Sequence, residues 1–219
     1  MRTLTKEMQA KLTPFAALNL LKEGNKRFVN NLKINRNLLQ QVNETAEGQY
    51  PFAFILSCID SRTSAELIFD QGLGDIFSCR IAGNILNDDI LGSMEFACKI
   101  AGSKIVIVLG HTKCGAVKGV CEDVKLGNLT GLLQKLKPAV KAAADSRPDW
   151  SSDIAALVEE AARFNVMQTL NEIPERSPIL SELIEEGKII LVGAMYNVET
   201  GLVEFYEDRI ITGNNFQKA

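Results

Sequence analysis

Histidine is almost absent from this sequence of 219 residues: there is one, His111. That excludes a relay of several imidazoles and a metal site built from histidines alone. No apolar run approaches the roughly 18 residues a spanning helix needs, so no membrane helix is expected. Charge of one sign is lacking too. The 24 Lys and Arg are scattered among 27 Asp and Glu for a net charge of −3, which removes the electrostatic footprint of a nucleic-acid binder. Cysteine is sparse and odd in number, with Cys58, Cys79, Cys98, Cys114 and Cys121 forming no C-x-x-C pair. A disulfide framework and a dithiol redox motif are therefore not expected, leaving metal binding or plain burial. The opening MRTLTKEMQAKL has neither the apolar stretch nor the small-residue cleavage site of a secretory signal, so a cytoplasmic protein is expected.

What is present is an ordinary globular balance of 46% apolar and 23% charged residues. The length fits a single domain over 1–219, with a helical arm over 1–47 and an α/β core over 48–219. Thr13 caps a helix that opens at Pro14 and carries Phe15, Leu18 and Leu21 before Gly24 interrupts it. A second helix is expected from Asn37 to Glu47. Three strands follow, Phe52–Leu56, Asp75–Ile81 and Lys104–Leu109, the first and third apolar enough to be buried on both faces of a parallel sheet. Between the second and third, Asn87 caps a helix running to about Ala101. Further helices are expected at Cys114–Val124, Leu129–Ala144 and Ile154–Leu170, and another opens at Ser177-Pro178 and closes at Gly187. Ser146-Arg147-Pro148-Asp149 reads as a loop. The strand Lys188–Ala194 turns back through Glu199-Thr200-Gly201 into Val203–Tyr206 as a hairpin. The fold class is α/β, a mostly parallel central sheet with an antiparallel C-terminal strand, flanked by helices.

In open parallel sheets ligands gather beyond the carboxyl ends of the strands, where this sequence puts Cys58 after one strand and His111 with Cys114 after another. Two thiolates and one imidazole suit zinc, and a catalytic zinc keeps its fourth position open. Alternation along an extended Cys58-Ile59-Asp60-Ser61-Arg62 would point Cys58, Asp60 and Arg62 the same way, with Asp60 and Arg62 able to form a bidentate pair. Asp60 could then orient a water, or swing onto the metal as a fourth ligand and close the site.

The segments Cys58-Ile59-Asp60-Ser61-Arg62 and His111-Thr112-Lys113-Cys114-Gly115 together resemble the C-x-D-x-R and H-x-x-C signature of β-class carbonic anhydrases. The resemblance implies one zinc per subunit on Cys58, His111 and Cys114, a catalytic pair of Asp60 and Arg62, and a Gly115 amide that touches water or bicarbonate. It also implies that Gln49 holds a substrate oxygen, that Phe77 forms an apolar wall, and that the protein is a homodimer or dimer of dimers whose N-terminal arm wraps the partner. Where the bicarbonate-inhibited members carry tryptophan, three positions before the first ligand, this chain has Ile55, which implies the plant-type subgroup. Phe96 follows Glu95 where many members have tyrosine.

The expected reaction is reversible hydration of carbon dioxide to bicarbonate and a proton. With His111 used as a ligand, proton removal falls to buffer, water or carboxylates. Two other readings stay open on the same ligands: hydrolysis of carbon disulfide or carbonyl sulfide, and a non-catalytic zinc protein.

Overall fold

A computed structural model describes residues 3–147 and 153–213. The chain begins with three helices, α1 (Lys6–Lys11), α2 (Pro14–Val29) and α3 (Leu38–Glu44), before strand β1 (Ala53–Ser57). Then come α4 (Ala65–Ile68), β2 (Ile76–Arg80), α5 (Asp88–Glu95), β3 (Ile105–His111), α6 (Gly115–Cys121), α7 (Gly127–Gln134) and α8 (Lys137–Ser146). The long helix α9 (Ile154–Arg176), α10 (Pro178–Glu185), β4 (Ile190–Tyr196) and β5 (Val203–Phe205) complete it.

The five strands form one sheet in the order β2-β1-β3-β4-β5, parallel except for the last pair. Residues of β1, β3 and β4 are buried at every position, as their unbroken apolar runs require. One face carries Leu56, Val106, Val108 and Leu191 against α5 and α8 to α10. The other carries Ile55, Ile107 and Val192 beneath Ala17, Leu18 and Leu21 of α2. Each such wholly buried side chain contributes about 1.5–3 kcal/mol relative to exposure. No described helix is long and apolar enough to cross a membrane.

Several expected boundaries move, for physical reasons. Helix α2 runs straight through Gly24, because the residue is there for close approach: a Cβ at that position would lie 1.8 Å from the Phe69 carbonyl oxygen beside α4. The second helix stops at Glu44, three residues short of Glu47. After α5 the chain widens into a π-turn over Phe96–Ile100 rather than continuing as α-helix to Ala101. The expected helix Leu129–Ala144 is two helices, with the break at Lys135-Leu136, where Leu136 is wholly buried. Helix α9 continues past Leu170 to Arg176 and includes Pro174. The short helices α1 and α4 were not anticipated. Of the expected Ser146–Asp149 loop, Ser146 closes α8, whereas Pro148 and Asp149 lie outside the described residues.

Candidate metal centre

β1 and β3 are adjacent and in register, Ser57 pairing with Leu109, so their carboxyl ends arrive side by side. Cys58 is the residue after β1; His111 is the last residue of β3 and not, as expected, beyond it. Cys114 occupies the N-cap of α6, one residue earlier than a helical start. Between them Thr112 donates its amide to the Tyr196 carbonyl, while Lys113 adopts a left-handed φ of 55°. That conformation is costly for a lysine, and it is held by the Lys113 amide donating to Glu159 Oε1 at 2.7 Å.

The ligand atoms of Cys58, His111 and Cys114 lie within 4.8 Å of one another, and all three residues are buried. His111 Nδ1–H donates to the Thr112 carbonyl at 2.9 Å, which leaves Nε2 as the lone-pair nitrogen. Nε2 is itself buried without any hydrogen-bond partner. An orphaned imidazole nitrogen facing two buried sulfurs is unfavourable unless something accepts its lone pair, and two thiols with one imidazole are the donor set zinc prefers. The residues present therefore fit a zinc ion. Hydrogen bonding from Cys114 and from the Gly83 amide draws the Cys58 thiol well below the usual thiol range, against the opposing effect of burial. The same contact with Cys58, together with burial, pushes the Cys114 thiol up.

Asp60 and Arg62 meet, though not as an extended strand would bring them. The chain turns after Asp60, with the Thr63 amide donating to the Asp60 carbonyl and the Arg62 amide donating to Asp60 Oδ1. The Arg62 guanidinium then forks onto both carboxylate oxygens, at 2.9 and 2.8 Å. Those hydrogen bonds hold the Asp60 carboxyl far below the usual carboxylate range. Among the described residues the close ligand group contains Cys58, His111 and Cys114 but not Asp60.

Residues that spacing alone did not flag support this corner. Arg80, at the end of β2, donates to the Cys58 and Asp60 carbonyls, and the Thr63 hydroxyl donates to the same two oxygens. The Gly83 amide donates to Cys58 Sγ at 3.3 Å. Gly115 is exposed, and a Cβ there would meet nothing within 4 Å, so there is room against its backbone.

Gln49 and Phe77 are not gathered here. Gln49 is exposed before β1, beside Gly74, at the opposite end of the strands from Cys58. Phe77 pairs with Phe54, four residues before Cys58 and thus roughly 13 Å away along the strand. It lines an open concavity of about 640 Å³ with Phe54, Cys79, Asp88 and Phe96, and its ring meets that of Phe96 edge-on.

Comparison with known proteins places these features in context. A family model described as carbonic anhydrase matches residues 53–203. Carbonic anhydrase 2 of Mycobacterium tuberculosis is 37% identical over 191 residues, covering 86% of this chain and 90% of that one. A carbonic anhydrase of Mycolicibacterium smegmatis is 32% identical over 200 residues, covering 87% and 92%. Among solved structures, a β-carbonic anhydrase of the fungal pathogen Aspergillus fumigatus superposes with a TM-score of 0.71 at 26% identity, covering 89% of this chain and 91% of the other.

Proposed function

Because the chain belongs to the carbonic anhydrase family, in its β class, we propose that it holds one zinc ion through Cys58, His111 and Cys114 and reversibly hydrates carbon dioxide to bicarbonate and a proton. The observation that carries this reading is the convergence of two buried sulfurs on an otherwise unpartnered imidazole nitrogen. When bound, zinc supplies Lewis acidity, by which water loses a proton near neutral pH, the known behaviour of this metal in carbonic anhydrases.

The chain's own residues supply orientation. Asp60, kept ionised by the Arg62 fork, accepts a hydrogen bond from the reacting water and directs its lone pair at carbon dioxide. The open backbone at Gly115 offers an amide to a product oxygen. The proton leaves through water, buffer or carboxylates, since the chain has no second histidine. The forked Asp60 supports a catalytic site over a zinc shell closed by that carboxylate.

The same proposal covers assembly and subgroup. Helix α3 turns Leu38, Leu39 and Val42 to solvent and buries Gln41, the reverse of a helix whose apolar face is satisfied by its own chain. Covering by a second copy, as a homodimer or pair of dimers, accounts for that inversion, and Gln49 and Phe77 then serve as substrate contacts for a site that is not their own chain's. Ile55, buried in the core where a tryptophan would mark the bicarbonate-inhibited members, supports the plant-type subgroup. Five free cysteines suit a reducing compartment such as the cytoplasm.

The test is stopped-flow hydration on protein of measured zinc content between pH 6.5 and 9. Turnover should rise toward alkaline pH, and Asp60→Asn should keep its zinc while losing roughly 100-fold or more in turnover. Full zinc occupancy with no hydration at pH 8.5 would overturn the reading.

A further inference from the structure

We infer that Asn165, far along the chain on α9, is a positioning residue for the metal ligand Cys58 and acts through the backbone of Gly83; the inference rests on the zinc reading above. Asn165 is buried and donates from Nδ2 to the Gly83 carbonyl at 2.8 Å. Gly83 in turn donates its amide to Cys58 Sγ. Both Gly83 and Asn84 sit in the left-handed region, with φ of 68° and 41°, a pair of conformations that needs external fixing. Packing supplies one restraint, since a Cβ on Gly83 would lie 2.7 Å from Leu136 Cδ1. Asn165 supplies the directional one, because gripping the carbonyl fixes the Gly83–Asn84 peptide plane, and with φ of Gly83 held in the left-handed region by packing this restrains the aim of its N–H. A sulfur ligand that accepts a fixed amide is held in place for metal before the metal arrives, and such supporting hydrogen bonds typically change metal affinity by about 10–100-fold.

The test measures zinc affinity by chelator competition, together with the sulfur-to-cobalt charge-transfer band of the cobalt(II) protein. Asn165→Asp keeps the volume but removes the donor, and should weaken zinc at least about tenfold and shift the band; Asn165→Ala serves if the aspartate fails to fold. Leu170→Ala, also buried on the same helix, should lower the melting temperature and leave both readouts unchanged. Should neither Asn165 variant fold, the Asn165 side-chain amide protons in wild type decide: slow exchange that slows further on metal loading supports the inference, and free exchange insensitive to metal overturns it. Asn165 variants that match wild type in affinity and spectrum would overturn the inference alone. A wild type that takes up neither metal would overturn the zinc reading and the inference with it.

Discussion

The two ends of β1 are built differently. Beyond its carboxyl end, Cys58, His111 and Cys114 are buried; Arg80 and Thr63 donate to the Cys58 carbonyl, the Gly83 amide donates to Cys58 Sγ, and Glu159 holds the Lys113 amide between the other two. Around its amino end, α3 exposes Leu38, Leu39 and Val42, Gln49 stands in solvent, and β2 has no described strand on its outer side. One corner buries its side chains within the single chain and the other leaves apolar ones in solvent. On the reading proposed above the lesson is a division of labour: metal capture belongs to the single chain, and substrate contacts and apolar cover come from a second copy.

The sharpest way to break that comparison is Cys114→Ser. It should abolish zinc binding and turnover together, read by metal analysis and stopped-flow, while leaving the assembly intact by sedimentation. A variant that kept full zinc would show that the ligands lie elsewhere. A smaller effect is expected from Leu39→Glu, which places a charge on a side chain 72% exposed in the single chain. It should raise the dimer dissociation constant by about tenfold or more, equivalent to about 1.4 kcal/mol, and depress turnover without changing zinc content. Unchanged assembly would mean that α3 faces water in solution. The smallest effect concerns acid. Arg62 lowers the Asp60 pKa, so the folded state holds fewer protons there than the unfolded chain does. Stability from the pair is present above the ordinary carboxylate value of about 4 and is lost as pH falls through it toward the lower folded value. Asp60→Asn should therefore flatten part of the fall in melting temperature between about pH 5 and about pH 2; an unchanged slope would deny the linkage.

The same contrast governs how much could be read from the residues alone. The ligand corner was legible because its chemistry is carried by rare residue types at short spacing, and because β1 and β3 are buried on both faces and so appear as unbroken apolar runs. Helix starts were legible for the same local reason: Thr13, Asn87 and Ser177 each accept from an amide three residues on, and Asn37, expected as the first helical residue, is itself such a cap. What escaped is tertiary. Nothing near Gly24 announces that Phe69 will pack against it, and nothing near Leu136 says that the helix must break there to seat a side chain against Gly83. The left-handed Lys113 and its distant partner Glu159 are invisible for that reason, and so are Asn165 and Gly83, 82 positions apart. Gln49 and Phe77 show the complementary limit, since a resemblance can name a role for a residue without saying whose site it serves.

The central claim is that two sulfurs and one imidazole of a single chain share one zinc ion. X-ray absorption at the zinc edge on the purified protein tests it most directly. The expected spectrum has two sulfur scatterers at about 2.3 Å and nitrogen or oxygen at about 2.0–2.1 Å. A zinc shell without sulfur, in protein whose Cys58 and Cys114 remain free to alkylation, would contradict it.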